Sequence, residues 1–542
     1  MQTEDGDRPG VAGGLLARVA EFVRAQSGWR KFLLAYLVGL LSSAAFPPYG
    51  IFVLLLAGYA VVVLLIDGAH ARPRSMRGAF WAGFSFGFGQ FMGGLYWIAY
   101  AFLVDPSQHA WEIPFVVTLL PAGLALFPGL AAAACIPFWR RHWSRIFVFT
   151  VFFSLAFYLR GHILTGFPWN LPAYGWGASL SILQSLSVLG AYGLSLLTVL
   201  FGASLALLGE RSRRAVIVPL ALLGGFALLW LSGRTRLALT QVRDVPHVEL
   251  RLVQPDVPQN QKYLPQYQER NWQRLIDLSH RPAPIAPTDI IWPEAAPPFL
   301  LLSSPAALAQ VASLTTRGRV LLTGAVRVTA SVNKGYRFYN SVLIFAHAGQ
   351  LIGVYDKAHL VPFGEYLPLR KILSAIGLTK LVDAPSDFTP GPGPRTYHIP
   401  GAPPVGPLIC YEVIFPNAVV GAVRPAWFVN VTDDSWFGPP GSSGPVQHLL
   451  IARAQAIEEG LPIARAANTG ISAIIDPLGR ISGRLGSGKL GVVDGRLPVA
   501  LQPTIYARFG DTLFFVLLLG CAAQATLMQV FLRNLNRKTP SR

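Results

Sequence analysis

Long runs of apolar residues, separated by short polar loops, fill most of the first 232 positions of the chain. Crossing the hydrocarbon core of a bilayer takes about 20 helical residues, and most of the runs are long enough. The pattern therefore predicts a membrane domain with seven spans over residues 31–232 and, after a long polar stretch, an eighth span at 512–532. The seven runs of the membrane domain lie at 31–48, 51–67, 78–104, 113–138, 146–159, 180–208 and 215–232.

The stretch between residues 247 and 500 has a different pattern. Short runs rich in β-branched and aromatic residues alternate with helical segments, which is typical of an α/β layer fold. A stretch of this length can bury a core of its own. Proline-rich stretches at 282–287, 390–394 and 400–404 predict loops. Strands are predicted at 247–253, 289–292, 320–326, 341–345, 351–355, 405–409, 427–431 and 471–475, and helices at 266–278, 305–315 and 446–459.

The composition agrees with a membrane protein. Of the 542 residues, 52% are hydrophobic and only 13% are charged, whereas charged residues make up about a quarter of a soluble domain. A net charge of +18 would suggest nucleic acid in a soluble chain. Here arginines are concentrated in alternate loops between the apolar runs, so we expect no nucleic-acid partner. These loops contain Arg72, Arg74 and Arg77; Arg140, Arg141 and Arg145; and Arg211, Arg213 and Arg214.

Loop charge also predicts the orientation of the chain. Positively charged loops stay on the cytoplasmic side of a membrane. The N-terminal segment 1–30 and the tail 533–542 are then cytoplasmic, and the domain at 247–500 lies on the outer side. No small-residue cleavage site follows a short apolar core near the start, so no cleaved signal peptide is predicted.

Only one of the three cysteines stands beside ionisable residues. Cys135 and Cys521 lie inside apolar runs, where a thiol usually packs as a small hydrophobe. Cys410 follows a predicted strand and precedes Tyr411 and Glu412. Although most cysteines at strand ends are inert, charged neighbours can convert a thiol into a nucleophile. Cys410 is therefore the candidate nucleophile.

Two charged residues lie just beyond other predicted strands. Glu294 comes two residues after Trp292, and Lys357 directly follows Asp356. A glutamate can take the proton of a thiol as a general base, and a lysine ammonium can stabilise an oxyanion. Each could also be ordinary, as a solvated loop carboxylate or as a surface ion pair between Lys357 and Asp356. The three residues together predict acyl transfer through a thioester.

These stretches resemble the Glu-Lys-Cys triad of the nitrilase, or carbon–nitrogen hydrolase, superfamily, whose fold is an αββα sandwich. They are Trp-Pro-Glu ending at Glu294, Tyr-Asp-Lys-x-His-Leu around Lys357, and Cys-Tyr-Glu beginning at Cys410. Together with the predicted spans, the chain is similar to the apolipoprotein N-acyltransferases over nearly its whole length. Further stretches that fit that family lie at 166–169, 361–368, 430–434, 436–438 and 465–472.

The resemblance implies a two-step transfer on the outer face of a bacterial inner membrane. Cys410 would take an acyl chain from a phospholipid, expected to be phosphatidylethanolamine. The α-amino group of the diacylglyceryl-cysteine of an apolipoprotein would then receive it. Glu365 matches a further essential carboxylate of the family, and Tyr411 and Glu412 match the residues after its nucleophile. No cofactor is implied.

The resemblance also suggests residues that contact substrate, namely Tyr263, Trp436 and Phe437. The family commonly has Trp where Tyr263 stands and Asn where Asp256 stands, but tyrosine keeps an aromatic face for lipid contact. The Trp-Phe-Gly stretch is either a packed loop or a mobile gate over the site. The aromatic loop at 160–176 is either a belt at the membrane interface or the rim of a lipid-binding cavity.

Two other functions fit parts of the pattern. A membrane-tethered amidase or nitrile hydrolase would use the same three residues with water as the acceptor, but eight spans exceed what an anchor requires. A transporter would carry ionisable groups near the span centres, where these spans have almost none. His359 and His448 lack the spacing of metal ligands, so no metal is predicted.

Overall fold

The computed structural model describes residues 11–210, 212–331, 335–375 and 386–538. Of the segments discussed above, residues 1–10, Arg211 and residues 539–542 lie outside these ranges. The helices are α1 Val11–Ala25, α2 Gly28–Ser42, α3 Phe52–His70, α4 Ser75–Leu95, α5 Pro106–His109, α6 Ile113–Cys135, α7 Arg145–His162, α8 Leu180–Leu183, α9 Leu186–Leu205, α10 Arg213–Leu239, α11 Pro265–His280, α12 Pro305–Leu314, α13 Arg370–Ala375, α14 Ser443–Glu459, α15 Ile505–Phe509 and α16 Thr512–Lys538.

Twelve strands are present in the described ranges. They are β1 Asp244–Gln254, β2 Asp289–Trp292, β3 Val320–Ser331, β4 Gly335–Ala346, β5 Gln350–Asp356, β6 Tyr397–Ile399, β7 Ala402–Ile409, β8 Trp427–Thr432, β9 Ile463–Ala467, β10 Ser472–Ile475, β11 Ile481–Leu485 and β12 Gly491–Pro498.

A helix covers the centre of every predicted span. In the described part of the chain, five helical segments are long and apolar enough to cross a membrane. By length and composition, the predicted count of eight spans is therefore not confirmed. Among the other three, α2 has only 15 residues and α7 carries two buried arginines. The start of the chain, expected only as a polar segment, forms α1, which packs against α3. The five segments are Phe52–His70, Pro106–Phe138, Leu186–Gly209, Ala215–Leu239 and Thr512–Val530.

Glycines of α4 allow its neighbours to approach closely, as small residues do between apolar helices. A Cβ at Gly83 would lie 2.2 Å from the carbonyl oxygen of Pro128 on α6. A Cβ at Gly89 would lie 2.1 Å from the carbonyl oxygen of Tyr36 on α2. The contact of α4 with both helices therefore requires glycine at these positions.

Two six-stranded sheets form the second half of the chain, with strand orders β12-β1-β2-β3-β4-β5 and β11-β10-β9-β8-β7-β6. All eight predicted strands are present, within a few residues of their predicted bounds. The predicted loop at 400–404 is partly wrong, because β7 already begins at Ala402. β7 pairs with β6 only at Ala402 and Val405, and with β8 only from Val405 onward. The two intervening prolines cannot donate to a ladder; the register with β6 shifts where they lie, and both precede the pairing with β8.

The sheets pack face to face with helices on both outer sides. The core between the sheets includes Ile291 of β2, Val342 of β4 and Ile409 of β7. Trp272 of α11 and Val311 of α12 cover the first sheet. On the far side of the second sheet, α14 packs in the same apolar cluster as the membrane helices. This arrangement is the predicted αββα sandwich.

The helix α14 also makes polar contacts with the membrane domain. Gln447 accepts a hydrogen bond from Trp169 Nε1 at 2.7 Å and donates one to the carbonyl oxygen of Pro47 at 3.1 Å. At the other end of α14, Glu458 accepts a hydrogen bond from the backbone N–H of Ala191 at 2.6 Å. These bonds hold the sandwich in a defined position on the helical half.

Candidate active site

Cys410 lies where β7 ends and a short 3-10 helix, Cys410–Ile414, begins. Its φ of +49° is in the left-handed region, which costs a non-glycine residue on the order of 1–3 kcal/mol. Such strain persists only where the surrounding structure fixes it, and it is frequent at active sites. All three cysteines are buried. Cys135 and Cys521 lie within α6 and α16, as the sequence predicts.

Glu294, just beyond β2, is buried beside the first sheet. Its Oε1 accepts a hydrogen bond from Asn340 Nδ2 at 2.7 Å and lies 3.5 Å from Lys357 Nζ. Its Oε2 accepts a hydrogen bond from the backbone N–H of Asp433 at 2.9 Å. Burial raises the pKa of Glu294, and the charge of Glu365 adds to the rise while Lys357 opposes it. A raised pKa makes this carboxylate a stronger proton acceptor.

Lys357, just after β5, is 1% exposed. Its Nζ lies 3.0 Å from a carboxylate oxygen of Glu365. Burial alone would lower the pKa of Lys357, but the charges of Glu365 and Glu294 outweigh burial and raise it, so the ammonium stays charged. The expected alternative, a surface pair with Asp356, is wrong, because Asp356 pairs with Arg327 at 2.7 Å.

The thiol of Cys410 has an environment that disfavours its ionisation at rest. Burial raises its pKa well above the usual value, and the negative charge of Glu294 raises it further. The charge of Lys357 and a hydrogen bond with Thr432 act in the opposite direction without overcoming that rise. A thiol with a raised pKa attacks only if a neighbouring base takes its proton, and the charge of Glu294 is one of those that affect the thiol.

Glu365 and Asn340 complete the cluster. One amide nitrogen, Asn340 Nδ2, donates to Oε1 of Glu294 at 2.7 Å and to Oε1 of Glu365 at 2.8 Å. The backbone N–H of Val361 holds the other oxygen of Glu365 at 2.8 Å. Two carboxylates thus share one amide and the single ammonium of Lys357.

Glu412 joins the loop of Lys357 to the loop of Cys410. Its Oε1 accepts hydrogen bonds from Tyr355 Oη at 2.7 Å and from the backbone N–H of Ala358 at 2.8 Å. Its Oε2 accepts one from the backbone N–H of Ile409 at 2.8 Å. Tyr411 points toward the membrane domain and donates from its hydroxyl to the carbonyl oxygen of Gly166 at 3.1 Å.

Sequence reasoning did not find a second buried lysine at this site. Lys262 Nζ donates to Asp433 Oδ2 at 2.6 Å and to the carbonyl oxygen of Glu294 at 3.0 Å. Asn468 Nδ2 donates to Asp433 Oδ1 at 3.1 Å. The network fixes the loop whose backbone N–H binds Glu294. Lys262 lies in a polar stretch without a periodic pattern, so its burial cannot be predicted from the sequence. Asn340 is a single polar residue within a strand, and the sequence does not indicate its role either.

On the second sheet, Asp434 and Arg465 form a fully buried pair. One guanidinium nitrogen of Arg465 lies 3.0 Å from Oδ1 and 2.8 Å from Oδ2 of Asp434, and another donates to Asn430 Oδ1 at 2.5 Å. Thr432 Oγ1 donates to Asp434 Oδ1 at 3.0 Å. Although burial opposes ionisation, the charge of Arg465 holds the pKa of Asp434 below its usual range.

The expected substrate contacts surround this site. Tyr263 is 40% exposed and its ring centroid lies 5.8 Å from Lys262 Nζ. Phe437 packs against Trp97 of the membrane domain at 4.5 Å between ring centroids, while the neighbouring Trp436 is half-buried. Asp256 has a φ of +48°, a left-handed conformation that asparagine and aspartate tolerate better than most residues.

The aromatic loop at 160–176 does not form an interfacial belt. Trp169, Tyr174 and Trp176 are all buried, whereas belt residues face the lipid headgroups. Trp176 Nε1 donates to Thr198 Oγ1 inside the membrane domain at 2.9 Å. The loop instead packs beneath the sandwich.

In the described ranges, no group of three or more His, Cys, Asp or Glu residues could hold a metal ion.

The fold and the site together define a carbon–nitrogen hydrolase domain joined to an apolar helical domain. Residues 251–506 match the family model described as carbon-nitrogen hydrolase, and residues 38–204 match the apolipoprotein N-acyltransferase N-terminal domain. The crystal structure of a carbon-nitrogen hydrolase from Helicobacter pylori G27 aligns over 46% of this chain and 88% of its own, with a TM-score of 0.34 and 16% identity.

Curated relatives match nearly the whole chain. An apolipoprotein N-acyltransferase from Rhodopseudomonas palustris is 44% identical over 92% of this chain and 95% of its own length. One from Bradyrhizobium diazoefficiens is 40% identical over 92% of this chain and 94% of its own. The chain belongs to the apolipoprotein N-acyltransferase family, and it is an acyltransferase of the carbon–nitrogen hydrolase superfamily with a membrane domain.

Proposed function

We propose that this protein transfers an acyl chain from a membrane phospholipid to the N-terminal amino group of the diacylglyceryl-cysteine of apolipoproteins, through a thioester on Cys410. The observation that carries the proposal is the convergence of Glu294, Lys357 and Cys410 from three strand ends in one buried cluster. The cluster lies directly against the membrane domain, where Tyr411 contacts Gly166.

In the first half-reaction, Glu294 takes the proton of the Cys410 thiol as the sulfur attacks the ester carbonyl of the phospholipid. The carbonyl oxygen becomes an oxyanion, which the ammonium of Lys357 stabilises; such a group typically contributes about 10²–10³ in rate. As the intermediate collapses, the C–O ester bond breaks and the leaving alkoxide takes the proton from Glu294. The products are the thioester and a lysophospholipid.

In the second half-reaction, the neutral amino group of the acceptor attacks the thioester carbonyl. Glu294 takes the proton that the amine loses, and Lys357 again stabilises the oxyanion. The C–S bond breaks, the amide forms, and the proton on Glu294 returns to the sulfur. Cys410 is then a thiol again, ready for the next phospholipid.

Supporting roles follow from the contacts of the neighbouring residues. Glu365 holds Lys357, and Glu412 holds the loops of Lys357 and Cys410 together. Tyr411 joins the nucleophile loop to the membrane domain. We assign lipid contacts to Tyr263, Trp436 and Phe437. We propose phosphatidylethanolamine as the acyl donor.

We further propose eight spans, both termini in the cytoplasm, and a catalytic domain of residues 247–500 on the periplasmic side of a bacterial inner membrane. Loop charge supports this orientation. Cysteines introduced at Gln108 and Ser212 test it with an impermeant thiol reagent on spheroplasts. Only the cysteine at position 108 should be labelled; equal labelling of both would contradict the eight-span arrangement.

Product analysis tests the reaction itself. Purified protein with phospholipid and a diacylglyceryl peptide should yield lysophospholipid and N-acylated peptide in equal amounts. Release of free fatty acid, with an unmodified peptide, would instead show hydrolysis. The relatives that match nearly the whole chain are named acyltransferases, so they do not favour a tethered amidase or nitrile hydrolase.

A further inference from the structure

His448 is a fully buried histidine on α14 that contacts the backbone of the nucleophile. Its Nε2 lies 3.2 Å from the carbonyl oxygen of Cys410. Its Nδ1 lies 3.0 Å from Asp434 Oδ1 and 3.1 Å from a guanidinium nitrogen of Arg465. The side chain therefore stands between the second-sheet ion pair and Cys410, but none of the steps described above uses it.

The neighbours of the ring determine which nitrogen carries the proton. Burial lowers the pKa of His448 and the positive charge of Arg465 lowers it further, whereas Asp434 raises it. A neutral imidazole has one N–H donor and one acceptor nitrogen. Arg465, a donor only, can donate to Nδ1, while the carbonyl oxygen of Cys410 can only accept. Asp434 Oδ1, which also contacts Nδ1, can only accept and therefore competes with Arg465 at that nitrogen. The hydrogen bond to the carbonyl oxygen of Cys410 requires hydrogen on Nε2.

This hydrogen bond acts on the strained residue of the site. Cys410 has a φ of +49°, and its carbonyl oxygen is the acceptor for His448. A bond to that oxygen fixes the peptide plane that follows Cys410, and with it the direction of the Cα–Cβ bond. Reacting groups must be held close to their productive geometry, since a displacement of about 1 Å can cost about 10² in rate.

Aromatic rings from both domains hold the imidazole in place. The ring of Trp169, from the membrane domain, lies 5.6 Å from that of His448, and the ring of Phe437 lies 5.4 Å away in an edge-to-face arrangement. Trp97 packs on Phe437 at 4.5 Å. The preceding residue, Gln447, bonds two membrane-domain loops. The position of His448 therefore depends on how the sandwich sits on the membrane domain.

We propose that His448 is a positioning residue that holds the backbone of Cys410 in its left-handed conformation and so aims the thiol at the acyl carbonyl. The proposal rests on the proposed function, because it requires Cys410 to be the nucleophile. Asp434 and Arg465 hold the imidazole, and the aromatic contacts couple its position to the membrane domain. His448 itself exchanges no proton with the substrate.

The test compares three variants of the full-length protein in detergent micelles containing phosphatidylethanolamine. His448→Phe removes the donor and keeps a ring. His448→Gln keeps an amide N–H where Nε2 was. Arg453→Gln is the matched control on the same helix, because it changes the hydrogen bond of Arg453 to the carbonyl oxygen of Gly479 but no contact with His448 or Cys410. The rate of thioester formation is measured by mass spectrometry in a single turnover, and KM for the phospholipid in steady state.

We expect His448→Phe to slow thioester formation about 10²-fold, with KM unchanged. His448→Gln should regain most of the rate, and Arg453→Gln should acylate nearly as fast as the parent. A general loss of folding would instead lower the active fraction without changing the rate constant of the molecules that react.

Two results would overturn the proposal: a His448→Phe variant that forms the thioester at the parent rate, or a His448→Gln variant as slow as His448→Phe at an equal melting temperature. If His448→Phe does not fold, His448→Leu, which also lacks the donor, takes its place: slow acylation by this variant supports the proposal, and acylation at the parent rate overturns it. The parent protein tests the proposed function separately, because a parent that forms no thioester contradicts the mechanism whatever the variants do.

Discussion

Two buried charge clusters lie on either side of Cys410 and differ in how completely their charges are paired. On the first-sheet side, the carboxylates of Glu294 and Glu365 share the one ammonium of Lys357. On the second-sheet side, Asp434 meets Arg465 through both of its oxygens. An incompletely paired buried charge is costly, and such groups are frequent at functional sites. We therefore propose that the first cluster serves the chemistry and that the second holds the structure around it.

The largest effect should come from Glu294→Gln, which keeps the shape of the side chain but removes the base. Thioester formation should fall by about 10²–10⁴-fold. The melting temperature should fall less than in Asp434→Asn: the change leaves one carboxylate for one ammonium, although the new amide NH2 must face one of the donors that contact Glu294. Single-turnover acylation and thermal unfolding of the same preparation measure both quantities. Normal acylation by this variant would show that another group is the base, and Glu365 would be the first candidate to test.

The paired cluster should respond in the opposite way. Asp434→Asn leaves the guanidinium of Arg465 buried without its counter-charge, which should lower the free energy of unfolding by about 3–5 kcal/mol. Glu249→Gln is the control, since it breaks a pair with the exposed Arg496 and should cost no more than about 1 kcal/mol. Denaturant unfolding compares the two variants. Equal losses would contradict the structural role of the second cluster.

The pH dependence separates the same two clusters. The folded pKa of Glu294 is raised by burial, so its contribution to stability is present below the unfolded pKa of about 4.3 and is lost as pH rises through the folded pKa. Acylation should change the other way, because the base must be ionised. Lowering the pH through that window should therefore slow thioester formation while the Glu294 contribution to stability increases.

Asp434 has the opposite shift. Its folded pKa is lowered, chiefly by Arg465 against the effect of burial. Its contribution to stability is present above the unfolded pKa and is lost only as pH falls through the lowered folded pKa. Rate and stability profiles of the parent and of Glu294→Gln test both signs. An acid limb in acylation that persists unchanged in the glutamine variant would show that another group is titrating.

The sequence predicted the strand ends and the three charged or nucleophilic residues beyond them, because apolar runs that end at a polar residue are a local signal. The sandwich followed from the resemblance. The sequence does not predict which residue pairs with each charged side chain. The sequence allows a pair between Lys357 and its neighbour Asp356, yet Lys357 pairs with Glu365, because the loop after β5 turns back between Val361 and Glu365.

The same limit applies to the membrane half. Hydropathy predicts where its helices lie but not how they pack. For the aromatic loop at 160–176, the sequence alone also allows an interfacial belt. Trp169 is buried against α14, where Gln447 accepts its hydrogen bond, and Trp176 is buried between Phe52 and Phe226 of the membrane domain. Lys262 and Asn340 were missed for a related reason, since burial of a single polar residue depends on contacts that are distant in sequence.

The smallest effect should come from Tyr263→Ala. This side chain takes no part in bond making, and its exposed ring only helps to hold a lipid-modified partner. Overall turnover should slow by about tenfold or less, the scale of one aromatic contact, while the thioester remains detectable. Lys357→Ala, which removes the oxyanion partner, should lower thioester formation by about 10²–10³-fold. If Tyr263→Ala blocked the thioester as fully, its role as a binding residue would have to be abandoned.

The central claim is the covalent intermediate on Cys410, and mass spectrometry of the purified protein tests it most directly. After incubation with phosphatidylethanolamine alone, the parent should gain the mass of one acyl chain on the peptide that contains Cys410 and release one equivalent of lysophospholipid. Cys410→Ala should insert and fold but show neither product. An alanine variant that still forms lysophospholipid, or an acyl group on another residue, would contradict the mechanism.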